Sequence, residues 1–262
     1  MARFPLAAAS GPCALGASLG CFAFSGVRGS GHLQAEQRSV PEFDSVRVQS
    51  GIHAKVSEGA RAVEVKADDN VLPLVVTEVS DGALVVRFKE HTNVWNSSDV
   101  EVTIHTPRLT GLDASGGAEV KAAAFSSDKF RVGASGGGSV LVAELHAKEL
   151  DVHASGGADI SVAGFDAAAL SMHGSGGATL KLSGRAQDAE LDMSGGATVK
   201  AGGLSVGKLS VDGSGGGTAT VKTAQRVDGS LSGGSTLHVG GDPKSRVRTS
   251  GGGEVLFDDK QD

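Results

Sequence analysis

The stretch LDVHASGGADISV, Leu150 to Val162, alternates apolar and polar residues on both sides of a Ser-Gly-Gly triplet. Counting back from Ser155, the positions one, three and five residues away are Ala154, Val152 and Leu150. Counting forward, the positions three, five and seven residues away are Ala158, Ile160 and Val162. A period of two with one apolar face marks a half-buried β-strand. Two strands therefore meet at a pair of glycines, the residue type that weakens a strand interior most.

The triplet recurs with its Ser at 115, 135, 155, 175, 194, 214, 232 and 250, in steps of 20, 20, 20, 19, 20, 18 and 18. The flanks recur with it. Three residues before the Ser stand Leu112, Val132, Val152, Met172, Leu191 and Val211; five residues after it stand Val120, Val140, Ile160, Leu180, Val199 and Ala219. Further apolar residues, Phe125, Leu145, Phe165 and Leu204, come ten residues after the Ser and close the turn of chain. Strand-only repeats of this length stack as a solenoid in which each coil hydrogen-bonds to the next. The spacing predicts an all-β chain folded as a right-handed parallel β-helix of about 20-residue coils, with coils about 4.8 Å apart. Each inward Val or Leu would contribute roughly 1.5 to 3 kcal/mol on full burial. Such a thin, layered core suits a chain with 40 Gly, nine Phe, one Trp and no Tyr. Stacking sets glycine over glycine, where a Cβ would crowd the bend. The expected corner glycines are Gly116, Gly117, Gly136, Gly137, Gly156, Gly157, Gly176, Gly177, Gly195, Gly196, Gly215, Gly216, Gly233, Gly234, Gly251 and Gly252.

Before the first triplet the pattern loosens. VRVQSGIHAKV alternates through Val46, Val48, Ile52, Ala54 and Val56 but has a single Gly after Ser50, and turn signals fall at Asp68-Asp69-Asn70, Ser80-Asp81-Gly82 and Asn93 to Ser98. One domain over 31–262 is expected, with irregular capping coils over 40–110 and regular repeats over 110–257. A cap is needed because an open stack end is an edge that recruits other chains. The acidic tail of EVLFDDKQD would discourage such pairing at the other end. Residues 1–30 read as a signal peptide or lipoprotein leader, with one early charge, Arg3, before a run rich in Ala, Leu and Gly. ASLGC, Ala17 to Cys21, has the form of a lipobox and makes Cys21 the lipidation candidate; AFS, Ala23 to Ser25, is the rival cleavage point. Both cysteines, Cys13 and Cys21, lie in this leader, so neither a disulfide nor a thiolate metal site is expected in the folded part. A formal charge of −6 argues against nucleic acid or an anionic membrane surface as partner.

SGIHAKVSEG, Ser50 to Gly59, and the repeated strands ASGGAEV and GSGGATL resemble the GIN domain family (DUF2807), named as a putative auto-transporter adhesin head domain. The resemblance covers about residues 40–257 and departs from the family at His53, where the name implies Asn. It implies an exported right-handed β-helical domain, often on lipoproteins, with a role in adhesion.

The repeats offer little for catalysis. A serine repeated eight times is a structural column rather than one activated nucleophile, and glycines that lead back into a strand are not a phosphate loop. Calcium β-roll repeats would need Asp at the turn, where this chain has none. Two residues before the Ser, successive coils present Asp113, Gly133, His153, His173, Asp192, Asp212, Ser230 and Arg248. His153, His173 and Asp192 would stand on three adjacent coils and are the candidate metal ligands. Against them stands the reading of this column as a solvated polar ladder. Asp192 with Asp212 could pair for glycoside cleavage, but aromatic sugar platforms and a surrounding set of basic residues are missing from the column. Four residues after the Ser the column reads Glu119, Ser139, Asp159, Thr179, Thr198, Thr218, Thr236 and Glu254, which suits exposed strand positions. The expected function is an exported non-enzymatic interaction or structural module of the bacterial cell envelope, without cofactor. It would sit in the periplasm or at the cell surface, bind a protein or glycan or pack with copies of itself, and touch a membrane only through a lipid anchor. The alternative is a carbohydrate-active β-helix enzyme acting on polysaccharide.

Overall fold

The computed structural model describes residues 26–95, 97 and 99–258. The expected leader up to residue 25, with Cys13 and Cys21, lies outside the described residues. The chain is 70% strand and forms a β-solenoid of about 7 turns repeating about every 20 residues. Among the described residues the only helical segment is one 3-10 turn, Leu72–Leu74.

The regular part begins with β10 (Gly111–Ser115) and runs through β11 (Glu119–Ser135), β12 (Ser139–Ala154), β13 (Asp159–Gly174), β14 (Thr179–Met193), β15 (Thr198–Gly213) and β16 (Thr218–Leu231). It ends with β17 (Thr236–Gly240), β18 (Lys244–Thr249) and β19 (Glu254–Asp258). Every pairing among these strands is parallel, and the partners are one coil apart, as in Val152 beside Met172 and Leu180 beside Val199. The strands are longer than the repeat pattern alone suggests. β13 carries the end of one copy and the start of the next as one bent strand, and a Ser-Gly-Gly turn separates it from the strand on either side.

Burial shows how a single strand rounds two corners. In the coil from Ala158 to Gly174 the inward residues are Ala158, Ile160 and Val162, then Phe165 and Ala167, then Leu170, Met172 and Gly174. Alternation slips where two exposed residues follow each other, at Ala163-Gly164 and Ala168-Ala169. These slips divide the coil into three faces around the core. The unequal coil lengths are absorbed at the first slip. Val162 pairs with Leu182 and Phe165 with Gly184, so one residue is lost between them, and similar shifts follow Lys181 and Ala201. Phe125, Leu145, Phe165 and Leu204 are buried at this corner.

At the third corner the first glycine of each triplet takes a positive φ, as in Gly156 at 69° and Gly176 at 70°. In the triplets from Ser155 to Ser232 the second glycine donates its N–H to the carbonyl of the first glycine one coil earlier, as in Gly177 to Gly156 at 2.8 Å and Gly196 to Gly176 at 2.7 Å. A Cβ on Gly176 would stand 3.1 Å from the Gly156 carbonyl oxygen. Glycine thus answers both the left-handed φ and the close backbone approach.

The N-terminal region is built differently. It comprises β1 (Val27–Arg28), β2 (Leu33–Arg38), β3 (Ser45–Gln49), β4 (His53–Glu58), β5 (Ala62–Asp68), β6 (Val75–Ser80), β7 (Ala83–Phe88), β8 (Val94–Trp95) and β9 (Glu101–Thr106). β3 and β4 lie parallel against β10 and β11 and so form the coil next to the regular stack. The coil beyond it is supplied by β7 and β9, which come later in sequence and pair parallel with β3 and β4. From Ser45 the path of the coils therefore begins one layer inside the end, goes out to build the end, and returns at Gly111. Beyond that outer layer the pairing turns antiparallel, β6 on β7 and β5 on β9, with β2 antiparallel on β5. Residues 33–106 thus close the stack with reversed strands, and the outermost, LQAEQR, is polar and mostly exposed. At the opposite end β18, KSRVRT, is also mostly exposed and places three cations on the edge.

Candidate functional site

The third face, where each strand runs into its Ser-Gly-Gly turn, stacks the column two residues before the Ser in register. Asp113 pairs with Arg47 and Gly133, Gly133 with His153, His153 with His173, His173 with Asp192, Asp192 with Asp212, Asp212 with Ser230, and Ser230 with Arg248. An open groove of about 1190 Å³ runs along this face from the layer of Ser45 and Arg47 to that of Ser230 and Ser232. It crosses eight stacked strands, about 34 Å at the ordinary strand spacing. The serines of successive triplets, Ser115 through Ser232, line it with hydroxyls one coil apart, beside the His and Asp column.

The two histidines are brought face to face. Their ring centroids are 4.5 Å apart and their planes 12° from parallel. His173 Nδ1 lies 2.9 Å from Asp192 Oδ2, and His173 Nε2 lies 3.0 Å from Ser171 Oγ. If Nδ1–H donates to the carboxylate, the Nε2 lone pair accepts from the serine hydroxyl. His153 leans along its own strand, with Nε2 2.6 Å from Asp151 Oδ1. That contact is off the direction of a hydrogen bond, and Asp151 Oδ1 is shielded from solvent and receives none. Donor atoms of Asp151, His153 and His173 lie within 4.8 Å of one another.

Of the sequence candidates, His153 and His173 come together, while Asp192 serves as a partner of His173 outside that three-residue cluster. Asp151 joins in its place. Its signal was the spacing Asp151-x-His153, since residues i and i+2 share one face of a strand. The same spacing makes Ser171 the neighbour of His173. Around the cluster, Asp113 leans so far along the ladder that its Oδ1 occupies the space a Gly133 side chain would take. Further along, Ser230 donates to Asp212 at 2.6 Å.

The SGIHAKV segment holds a second polar group at the junction of cap and regular coils. Ser50 and Gly51 turn with φ of 63° and 72°. His53 Nδ1 then stands 2.9 Å from Glu119 Oε2, and Lys121 Nζ 2.7 Å from Glu119 Oε1. The Lys121 ammonium, helped by His53 and opposed by partial burial, holds the Glu119 carboxyl below its ordinary value. This group bridges β4 and β11 across the first coil interface.

A stacked parallel solenoid of about 20-residue turns with a long groove along one face defines the β-solenoid class of folds. Within that class the chain belongs to the family "Putative auto-transporter adhesin, head GIN domain", DUF2807, whose model matches residues 42–243. It is similar to the solved structure of a "putative adhesin" from Parabacteroides distasonis, with 26% identity over 88% of this chain and 99% of that one, at a TM-score of 0.81. A "putative adhesin" from Parabacteroides merdae shares the fold at 22% identity over 88% and 98% of the two chains, with a TM-score of 0.79. A "Putative lipid binding protein" from Parabacteroides distasonis shares it at 18% identity, the same coverages and a TM-score of 0.78. No curated protein matches the chain. The family and two of these three solved relatives thus carry adhesin names, and the third is named for lipid binding.

Proposed function

We propose that this protein is an exported, non-enzymatic, adhesin-like module of the bacterial cell envelope that holds an extended protein or glycan segment along the third face. The observation that carries this reading is the groove of about 1190 Å³ with its comb of serine hydroxyls. An extended chain laid across the coils meets hydrogen-bonding groups at a regular interval, and a shallow polar trough suits a polymer better than a compact metabolite. Charge adds direction, because Arg47 lines one end of the groove and Asp192 and Asp212 line its middle and far part. The adhesin names of the family and of two of the solved relatives support a surface location. The single folded unit over 31–262, a leader over 1–30 and lipidation of Cys21 complete the proposal; mass spectrometry of the mature N-terminus checks the last two.

Arrays of glycans and extended peptides, probed with the parent chain and with Ser155→Arg and Ser175→Arg, test the groove. Selective binding that both substitutions abolish, at unchanged melting temperature, is expected; binding that survives both overturns the groove as the site. The same polysaccharides assayed for new reducing or unsaturated ends should show none, and their release would make the protein an enzyme.

A further inference from the structure

We propose that Asp151, His153 and His173 form a binding site for a late first-row divalent cation, zinc or copper, with Asp192 orienting the His173 ring. Two imidazoles and a carboxylate are the donor set such ions take, and a three-residue set leaves a coordination position open. The four residues come from three successive coils, so the solenoid itself assembles the set. His153 and His173 are held in stacked register at 4.5 Å, and the strand period places Asp151 beside His153.

Three details point to an ion rather than to a plain polar ladder. First, donor atoms of the three residues already lie within 4.8 Å of one another. Zinc bonds of about 2.0 to 2.2 Å separate tetrahedral ligands by roughly 3.3 Å; rotation of half-exposed side chains covers the difference. Second, Asp151 Oδ1 is shielded from solvent, accepts no hydrogen bond, and sits 2.6 Å from His153 Nε2. An ion between the two would use both lone pairs. Third, His173 has its Nδ1 at 2.9 Å from Asp192 and its Nε2 at 3.0 Å from the Ser171 hydroxyl. A carboxylate on one imidazole nitrogen that leaves the other free to coordinate is the usual outer support of a histidine ligand. The Ser171 hydroxyl occupies the direction from which the ion would approach. Because His153 and His173 also line the groove, the open position would face whatever lies there. A bound cation would then convert an acidic stretch of the groove into an electrophilic one.

The proposal is tested on the full chain by titration calorimetry with zinc alone and by electron paramagnetic resonance with copper(II). Expected are one zinc ion per chain, a loss of tenfold or more in affinity for H153A, H173A and D151N, and a loss of 10- to 100-fold for D192N, the range for an outer-shell partner. The copper spectrum of the parent should carry hyperfine structure from two nitrogens. No zinc binding, binding by H153A and H173A as tight as that of the parent, or loss on Cys13→Ser with Cys21→Ser in place of the histidine variants would overturn it. So would a copper spectrum without nitrogen coupling, which requires no variant to fold. Melting curves for each variant separate lost ligation from lost structure.

Discussion

The regular coils and the N-terminal cap bury the same kind of alternating strand, yet order their layers differently. From Gly111 onward each coil lies on the one before it, all pairings are parallel, and glycine stacks on glycine at the corner. In the cap the outermost coil, β7 and β9, comes later in sequence than the coil it covers, and antiparallel β5 and β6 finish the stack. The contrast shows what a repeat does for a solenoid. Where every coil has the same length and corner, adding the next copy is the shortest route for the chain. Where a stack must end, its last edge needs a different pairing, and a reversed strand supplies it without presenting another site for a parallel coil.

Corner substitutions should break this comparison most severely. Replacing Gly156 and Gly157 with Val forces a β-branched residue to a φ of 69°, with a Cβ 3.2 Å from the Gly136 carbonyl oxygen. A loss of roughly 3 kcal/mol or more is expected in chemical denaturation, from the left-handed backbone together with the overlap. Next comes the core. Leu180 is fully buried between Ile160 and Val199, and L180A should cost about 2 to 5 kcal/mol. Because coils contact only their neighbours, this central lesion should also broaden the unfolding transition, as a one-dimensional array predicts. Gly51 in the cap sharpens the comparison. It has a φ of 72°, but nothing lies within 4 Å of its prospective Cβ. G51A should therefore cost about 1 to 2 kcal/mol from the backbone alone, whereas G215A, whose Cβ would meet the Gly195 carbonyl oxygen at 2.6 Å, should cost more. Equal losses for the two would mean that stacking, rather than φ, is irrelevant at the corner.

Smaller effects are expected at the surface. The Glu119 carboxyl, depressed by Lys121 and His53, stabilises the fold at a pH above its ordinary value of 4.5, and this contribution disappears as acid protonates it in the folded state. Its exposure keeps the effect under about 1 kcal/mol. Denaturation at pH 6 and at pH 3.5 should show a larger acid loss for the parent than for E119Q; equal losses would detach this group from the junction of cap and coils. H153A, at a half-exposed position, should change stability by less than about 0.5 kcal/mol.

Much of the regular stack was legible in the sequence because identical spacing forces identical positions into one column. Leu112, Val132, Val152 and Met172 fall in line once the serines are aligned, and so do His153, His173 and Asp192. Asp151 escaped that reading because it stands in the neighbouring column, and a search along one ladder does not look sideways. The continuity of β13 past two corners was hidden for another reason. Ala163-Gly164 and Ala168-Ala169 look like ordinary turn residues, but parallel hydrogen bonds from both neighbouring coils hold most of the bent strand in its ladder. The layer order of the cap was hidden most deeply. β7 and β9 alternate like any half-buried strand, and nothing local in them tells which edge they cover.

The sequence by itself determined the coil length, the faces, the corner glycines and the columns they impose, since these follow from periodicity and from the conformations open to glycine. The tertiary structure alone decided the rest. It set which coil ends the stack, how Asp151 reaches His153, and how His173 is held between Asp192 and Ser171. Those contacts depend on side-chain rotamers and on pairing between distant segments, and no spacing along one strand encodes either.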